Sequence, residues 1–110
     1  MAITTAYAEV EPTRAQIDAL DGPALLEFGS PWCGYCRAAQ PLIAAALDDH
    51  PGIRHIKIAD AGGRWLGRSF RVKLWPTLVL VERGKEIARV VRPKEAGAIR
   101  DALAKIDAAR

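Results

Sequence analysis

Two residues in this chain have the type and spacing to exchange electrons: Cys33 and Cys36, the only cysteines among 110 residues. Gly34 and Tyr35 separate them, which on a helix is about one turn. At that spacing the second sulfur reaches the first, to donate a hydrogen bond to its thiolate or to close a disulfide with it. Pro31-Trp32 before the pair and Gly34-Tyr35 within it read as a loop rather than packed interior, which argues against two inert core thiols. A secreted domain of this size that depended on disulfides would carry more cysteines. A redox pair or half of a metal site remains.

The metal alternative has a spacing of its own. Cys-x2-Cys-x13-His-x4-His runs through His50 and His55, close to that of a zinc finger. Zinc fingers, however, place the cysteines on a hairpin and both histidines on one helix. Here the cysteines open a helix and Pro51-Gly52 separates the histidines. No metal is expected, and the two histidines are read as surface residues.

The elements that must position the pair follow from the punctuation by Gly and Pro. Ala24 to Phe28 is a short, nearly continuous apolar run, the pattern of a strand buried on both faces. After a loop over Gly29–Trp32, a helix is expected from Cys33 to about Asp49, with Leu42, Ile43, Ala46 and Leu47 buried and a kink at Pro41. Cys33 then falls at the helix N-terminus, where unpaired N–H groups and the dipole favour negative charge on its sulfur. Strands are expected over Ile53–Ile58, Thr77–Val81 and Glu86–Val91, the last two joined by an Arg83-Gly84 turn. Helices are expected after Pro12, with Ala15, Ile17, Ala19 and Leu20 as its apolar face, over Trp65–Arg71, and from Lys94 to about Ala108. Ala2–Val10 is weakly strand-like. The order predicts an α/β fold in one domain over residues 1–110: a central mixed sheet of four to five strands with helices on both faces.

The segment Phe28-Gly29-Ser30-Pro31-Trp32-Cys33-Gly34-Tyr35-Cys36 resembles the active-site segment of the thioredoxin family. Pro41 stands five residues after Cys36 and Glu27 six before Cys33, as the family's helix-kinking proline and buried carboxyl do. Pro76-Thr77 resembles its cis-proline segment, and Gly84 its hairpin turn. The resemblance implies the thioredoxin fold and a monomeric thiol–disulfide oxidoreductase acting on protein disulfides, with no cofactor of its own. Its electron donor would be a flavin-dependent disulfide reductase. It implies Cys33 and Cys36 as the redox pair, Glu27 as proton acceptor for Cys36, and Lys57 as a partner of Glu27. Trp32, Gly34, Tyr35, Trp75 and Pro76 would bind substrate, a cis bond at Pro76 presenting the Trp75 backbone to an extended segment. Read as a lone buried carboxyl, Glu27 is expected to be replaceable by Ala without loss of stability.

Three positions depart from the family pattern. Gly29 stands where a Trp is common, Arg92 where a Gly is usual, and Trp75 where a small or branched residue precedes the proline. All three border the family's substrate groove, which keeps a binding adaptor with little turnover as an alternative. The Gly34-Tyr35 dipeptide lacks a positive partner for the thiolate and resembles the loop of bacterial disulfide isomerases, which keeps isomerase or oxidase activity as another.

Composition narrows the rest. With 50% hydrophobic and 26% charged residues the chain is neither disordered nor of low complexity. No apolar run approaches the roughly 20 residues of a membrane span. A net charge of +3 is far from a nucleic-acid footprint. Arg64, Arg68 and Arg71 read as a solvated face, and Trp65 and Phe70 as core or loop packing. Met1–Val10 lacks the basic and apolar regions of a secretory signal, so a cytoplasmic location is expected.

Overall fold

A computed structural model describes residues 6–8, 10–60 and 64–108. Strand β1 (Ala24–Gly29) is buried along its whole length. It pairs in parallel with β2 (Arg54–Ala59) and antiparallel with β3 (Thr77–Glu82). β3 in turn pairs antiparallel with β4 (Lys85–Val91), giving the order β2-β1-β3-β4. The β3–β4 turn has Arg83 at φ 52° and Gly84 at φ 80°, the paired positive φ values that suit the twist of a two-residue hairpin. Of the expected N-terminal strand, residues 2–5 and 9 lie outside the described residues. Tyr7 forms one parallel bridge to Lys57 on the outer edge of β2.

Period-two alternation along β1 sends its side chains to two different cores. Leu25 meets Ile43 and Ala46 of α2 (Gly34–Leu47) and Ile99 and Leu103 of α4 (Ala96–Ala108), together with Leu78 and Leu80 of β3. Leu26 and Phe28 meet Ile17 of α1 (Arg14–Asp18), Leu66 of α3 (Trp65–Ser69), and Phe70. Both faces are buried, which is why β1 reads as a nearly continuous apolar run. Glu27 shares its parity with Leu25 and therefore faces α2.

Helix α1 starts one residue beyond Thr13, which caps it in a reciprocal box with Gln16. Phe70 packs on Phe28 with ring centroids 5.8 Å apart. Trp65 does not pack in the core: it is 78% exposed, with the Arg68 guanidinium 5.5 Å from its ring. One turn of helix must choose which residues to bury, and Leu66 and Gly67 take the inner face. Arg64, Arg68 and Arg71 are exposed. No helix among the described residues is long and apolar enough to cross a membrane.

Candidate active site

Cys33 is the N-cap of α2, with extended backbone, and its Sγ accepts a hydrogen bond from the Cys36 amide at 3.2 Å. Its sulfur therefore occupies the position that a serine or aspartate oxygen holds at other helix starts. Cys33 is half-buried and Cys36 is 1% exposed, and both are free thiols. The Cys36 thiol is pushed up to about 12, first by burial, then by its hydrogen bond to Cys33 and the nearby Cys33 and Glu27 charges, against an opposing backbone bond at Ser30. Gly29 lets the Cys36 sulfur pack close to the strand: a Cβ there would come within 2.5 Å of Cys36 Sγ, so the thiol would have to shift.

Beneath Cys36 lies a polar cluster. Glu27 is fully buried. Its Oε1 is 2.8 Å from His55 Nε2, and its Oε2 accepts from Gln40 Nε2 at 2.8 Å. Gln40 Nε2 also donates to the Cys36 carbonyl at 2.8 Å, while Gln40 Oε1 accepts from Lys57 Nζ at 2.8 Å. Lys57 Nζ stands 3.9 Å from Glu27 Oε2. Register explains the convergence: Leu25 opposes His55 and Glu27 opposes Lys57, so three polar residues of equal parity meet one helix face. Tyr7 closes the outer side, its ring 4.6 Å from Lys57 Nζ. Burial raises the phenol above its ordinary range, with Glu27, Cys36 and Cys33 adding to the effect. A cavity of about 230 Å³ opens here between Tyr7, Ser30, Cys36, Gln40 and Lys57.

This cluster corrects two expectations. Glu27 is not a lone carboxyl, because three side chains hold it. His55 is not a surface residue: it is 3% exposed on an interior-facing position of β2. Gln40, His55 and Tyr7 escaped the sequence reading. The signals were there for two of them, since His55 has the parity of Lys57, and Gln40 follows Cys36 by one helical turn. Tyr7 had none, because an edge bridge leaves no periodic pattern.

Around Cys33 the surface is different in kind. Trp32 and Tyr35 are 81% and 60% exposed, and Gly34 borders open space. Trp75 is half-buried, its indole donating to Asp60 Oδ2 at 3.0 Å. Burial raises the Asp60 carboxyl, and the indole bond opposes that shift. The Trp75–Pro76 peptide bond is cis. Arg92 joins the two loops. Its amide donates to the Pro76 carbonyl at 2.9 Å, its Nε donates to the Trp75 carbonyl at 2.8 Å, and its guanidinium lies 4.0 Å from the Tyr35 ring centroid. The fold thus gathers Trp32, Gly34, Tyr35, Trp75 and Pro76 at the rim, with Glu27 and Lys57 below. Among the described residues no three His, Cys, Asp or Glu side chains converge as metal ligands.

The thioredoxin family profile matches residues 5–105. The chain belongs to the thioredoxin family. Its coordinates superpose on those of reduced thioredoxin 2 from Pseudomonas aeruginosa with a TM-score of 0.85 and 47% identity, over 98% of this chain and 100% of that one. It is 36% identical to thioredoxin H2 of Arabidopsis thaliana over 71 residues, 64% of this chain and 53% of that protein, so it spans about half the length of that relative. It is 30% identical to a thioredoxin of Echinococcus granulosus over 96 residues, 80% of this chain and 90% of that protein. The architecture is the thioredoxin fold, and thiol–disulfide oxidoreduction is the family's general function.

Proposed function

We propose that this thioredoxin-family chain, acting as one domain over residues 1–110, reduces protein disulfides through a Cys33/Cys36 cycle. The observation that carries this reading is the asymmetry of the pair. Cys33 is the accessible cap of a helix, whereas Cys36 is buried and keeps its proton to about 12. Cys33 thiolate attacks one sulfur of the substrate disulfide, forms a mixed disulfide and releases the other sulfur as a thiolate, which takes a proton from solvent. Cys36 then loses its proton and attacks Cys33 Sγ. The Cys33–Cys36 disulfide forms, the Cys33–substrate bond breaks, and the second substrate sulfur leaves as a thiolate. Two electrons pass to the substrate.

Glu27 is the proton acceptor for Cys36 in this scheme. Gln40 ties its carboxylate to the Cys36 backbone, and Cys36, Gln40 and Lys57 line the cavity beside it. Lys57 modulates the carboxylate through Gln40. Trp32, Gly34, Tyr35, Trp75 and Pro76 form the docking surface for an extended segment carrying the disulfide. The cycle needs an external dithiol donor, for which a flavin-dependent disulfide reductase in the cytoplasm is the fitting class, and the chain works as a monomer.

Insulin reduction driven by dithiothreitol tests this reading. The protein is expected to accelerate precipitation of the insulin B chain, and Cys33→Ser to abolish the acceleration. A parent protein with no effect overturns the reading in favour of a binding adaptor.

A further inference from the structure

We propose that Arg92 makes this site selective for disulfides flanked by an acidic side chain. The inference rests on the redox reading above and adds a substrate class to it. Arg92 holds φ at 49°, a left-handed backbone in which glycine is unstrained and an arginine is not. Strain at a non-glycine residue persists where the side chain is held by its surroundings, and here both anchors belong to the docking surface. Nε bonds the Trp75 carbonyl, and the guanidinium plane lies against the Tyr35 ring. These contacts fix a cation between the two loops that flank Cys33.

Among the described residues that cation has no counter-charge. The ion pairs of the described residues join Arg14 to Asp18, Arg89 to Glu86, and Glu27 to His55 and Lys57, and none includes Arg92. Nε is the only side-chain donor of Arg92 with a hydrogen-bond partner among the described residues. The Nη donors of its planar fork remain for a carboxylate, which the fork matches with two parallel bonds. The Asp60 carboxylate is turned to the Trp75 indole. A segment lying between Tyr35 and Trp75 therefore meets a held, half-buried positive charge, which favours Glu or Asp beside the target cysteine and disfavours Lys or Arg.

Two peptides settle this, each with one disulfide and differing only in Glu or Lys next to the attacked cysteine. At low salt kcat/KM for the Glu peptide is expected to exceed that for the Lys peptide by roughly tenfold, one attraction plus one like-charge repulsion. The ratio should shrink as salt rises. In Arg92→Gly, where the backbone relaxes and folding is secured, it should fall close to one, while Arg92→Lys keeps a preference for Glu. Equal rates for both peptides with the parent protein, or an unchanged ratio in Arg92→Gly, overturn the role of Arg92 while leaving the redox reading intact. A parent protein that reduces neither peptide nor insulin overturns the redox reading instead.

Discussion

The rim around Cys33 and the pocket beneath Cys36 sit on either side of a single turn of helix, yet they are held by different physics. In the pocket Glu27, Gln40, His55 and Lys57 bond one another at 2.8 Å at a sheet–helix interface. Every partner there is fixed by strand register and helix period. At the rim Trp32 and Tyr35 project into solvent, and the loops are joined through one side chain, Arg92. A buried polar network is costly to leave half-satisfied, so the pocket tolerates little change. An exposed rim can change residues with little penalty to the fold. On the proposed mechanism, proton handling is thereby locked into the structure and partner choice is left adjustable.

The sharpest way to break this division is at the cysteines themselves. If Cys33 belongs to the rim and Cys36 to the pocket, iodoacetamide at neutral pH should label reduced Cys33 at least tenfold faster than Cys36. Cys36→Ser should trap a mixed disulfide with a protein substrate, and Cys33→Ser should not. Faster labelling of Cys36 removes the division altogether.

Next in size is the carboxyl of the pocket. Glu27→Ala strips partners from His55 and Gln40 and leaves Lys57 without its nearby charge, at a cost of about 2–4 kcal/mol in unfolding free energy. Glu27→Gln keeps the shape and part of the bonding, so its loss should be smaller, while release of the mixed disulfide slows by about tenfold or more. Denaturant titration and single-turnover rates separate the two effects. Equal turnover of Glu27→Gln and parent from pH 6 to 9 would take Glu27 out of the proton path.

Burial of the Cys36 thiol also gives the reduced protein a pH signature. In the unfolded chain this thiol ionises near its ordinary value of 9.0, and in the fold it holds its proton to about 12. The unfolded state sheds the proton first, so the stabilisation is complete below pH 9 and fades as pH rises from there toward 12. Urea midpoints of the reduced form should fall across the accessible part of that window, and Cys36→Ala should flatten the decline. An identical slope in the variant removes the thiol as its source. The smallest effect belongs to the rim: Trp32→Ala should change stability by no more than about 0.5 kcal/mol, while raising KM for a protein disulfide a few-fold. A large loss of stability would show that the rim carries structure as well.

Elements with strong local signals were legible without coordinates. The apolar run of β1, the turn at Arg83-Gly84 and the cysteine spacing each follow from nearest neighbours along the chain. The helix boundaries shifted by one or two residues, where caps such as Thr13 and Cys33 decide the start. Trp65 stands exposed where core or loop packing is expected, because a five-residue helix shows too few repeats for its inward face to be inferred. His55 was misread because its burial depends on which strand lies beside β2 and in what register.

Two thiols meeting at a helix start after a buried strand can be read from the chain alone, because spacing of two and the onset of a helix are local facts. So can a carboxyl inside that strand. What surrounds that carboxyl is set by the pairing of the strands and the helix packed on them. Glu27 and His55 are 28 positions apart and meet at 2.8 Å because parallel pairing puts β2 against β1 with Leu25 opposite His55. Arg92 reaches Tyr35 and Trp75 because antiparallel pairing returns the end of β4 to the start of β3, with Val91 opposite Thr77. Contacts between residues far apart in the chain depend on register, and a shift of one residue turns every side chain of a strand to the other face. Local pattern carries no record of that choice until the strands are paired.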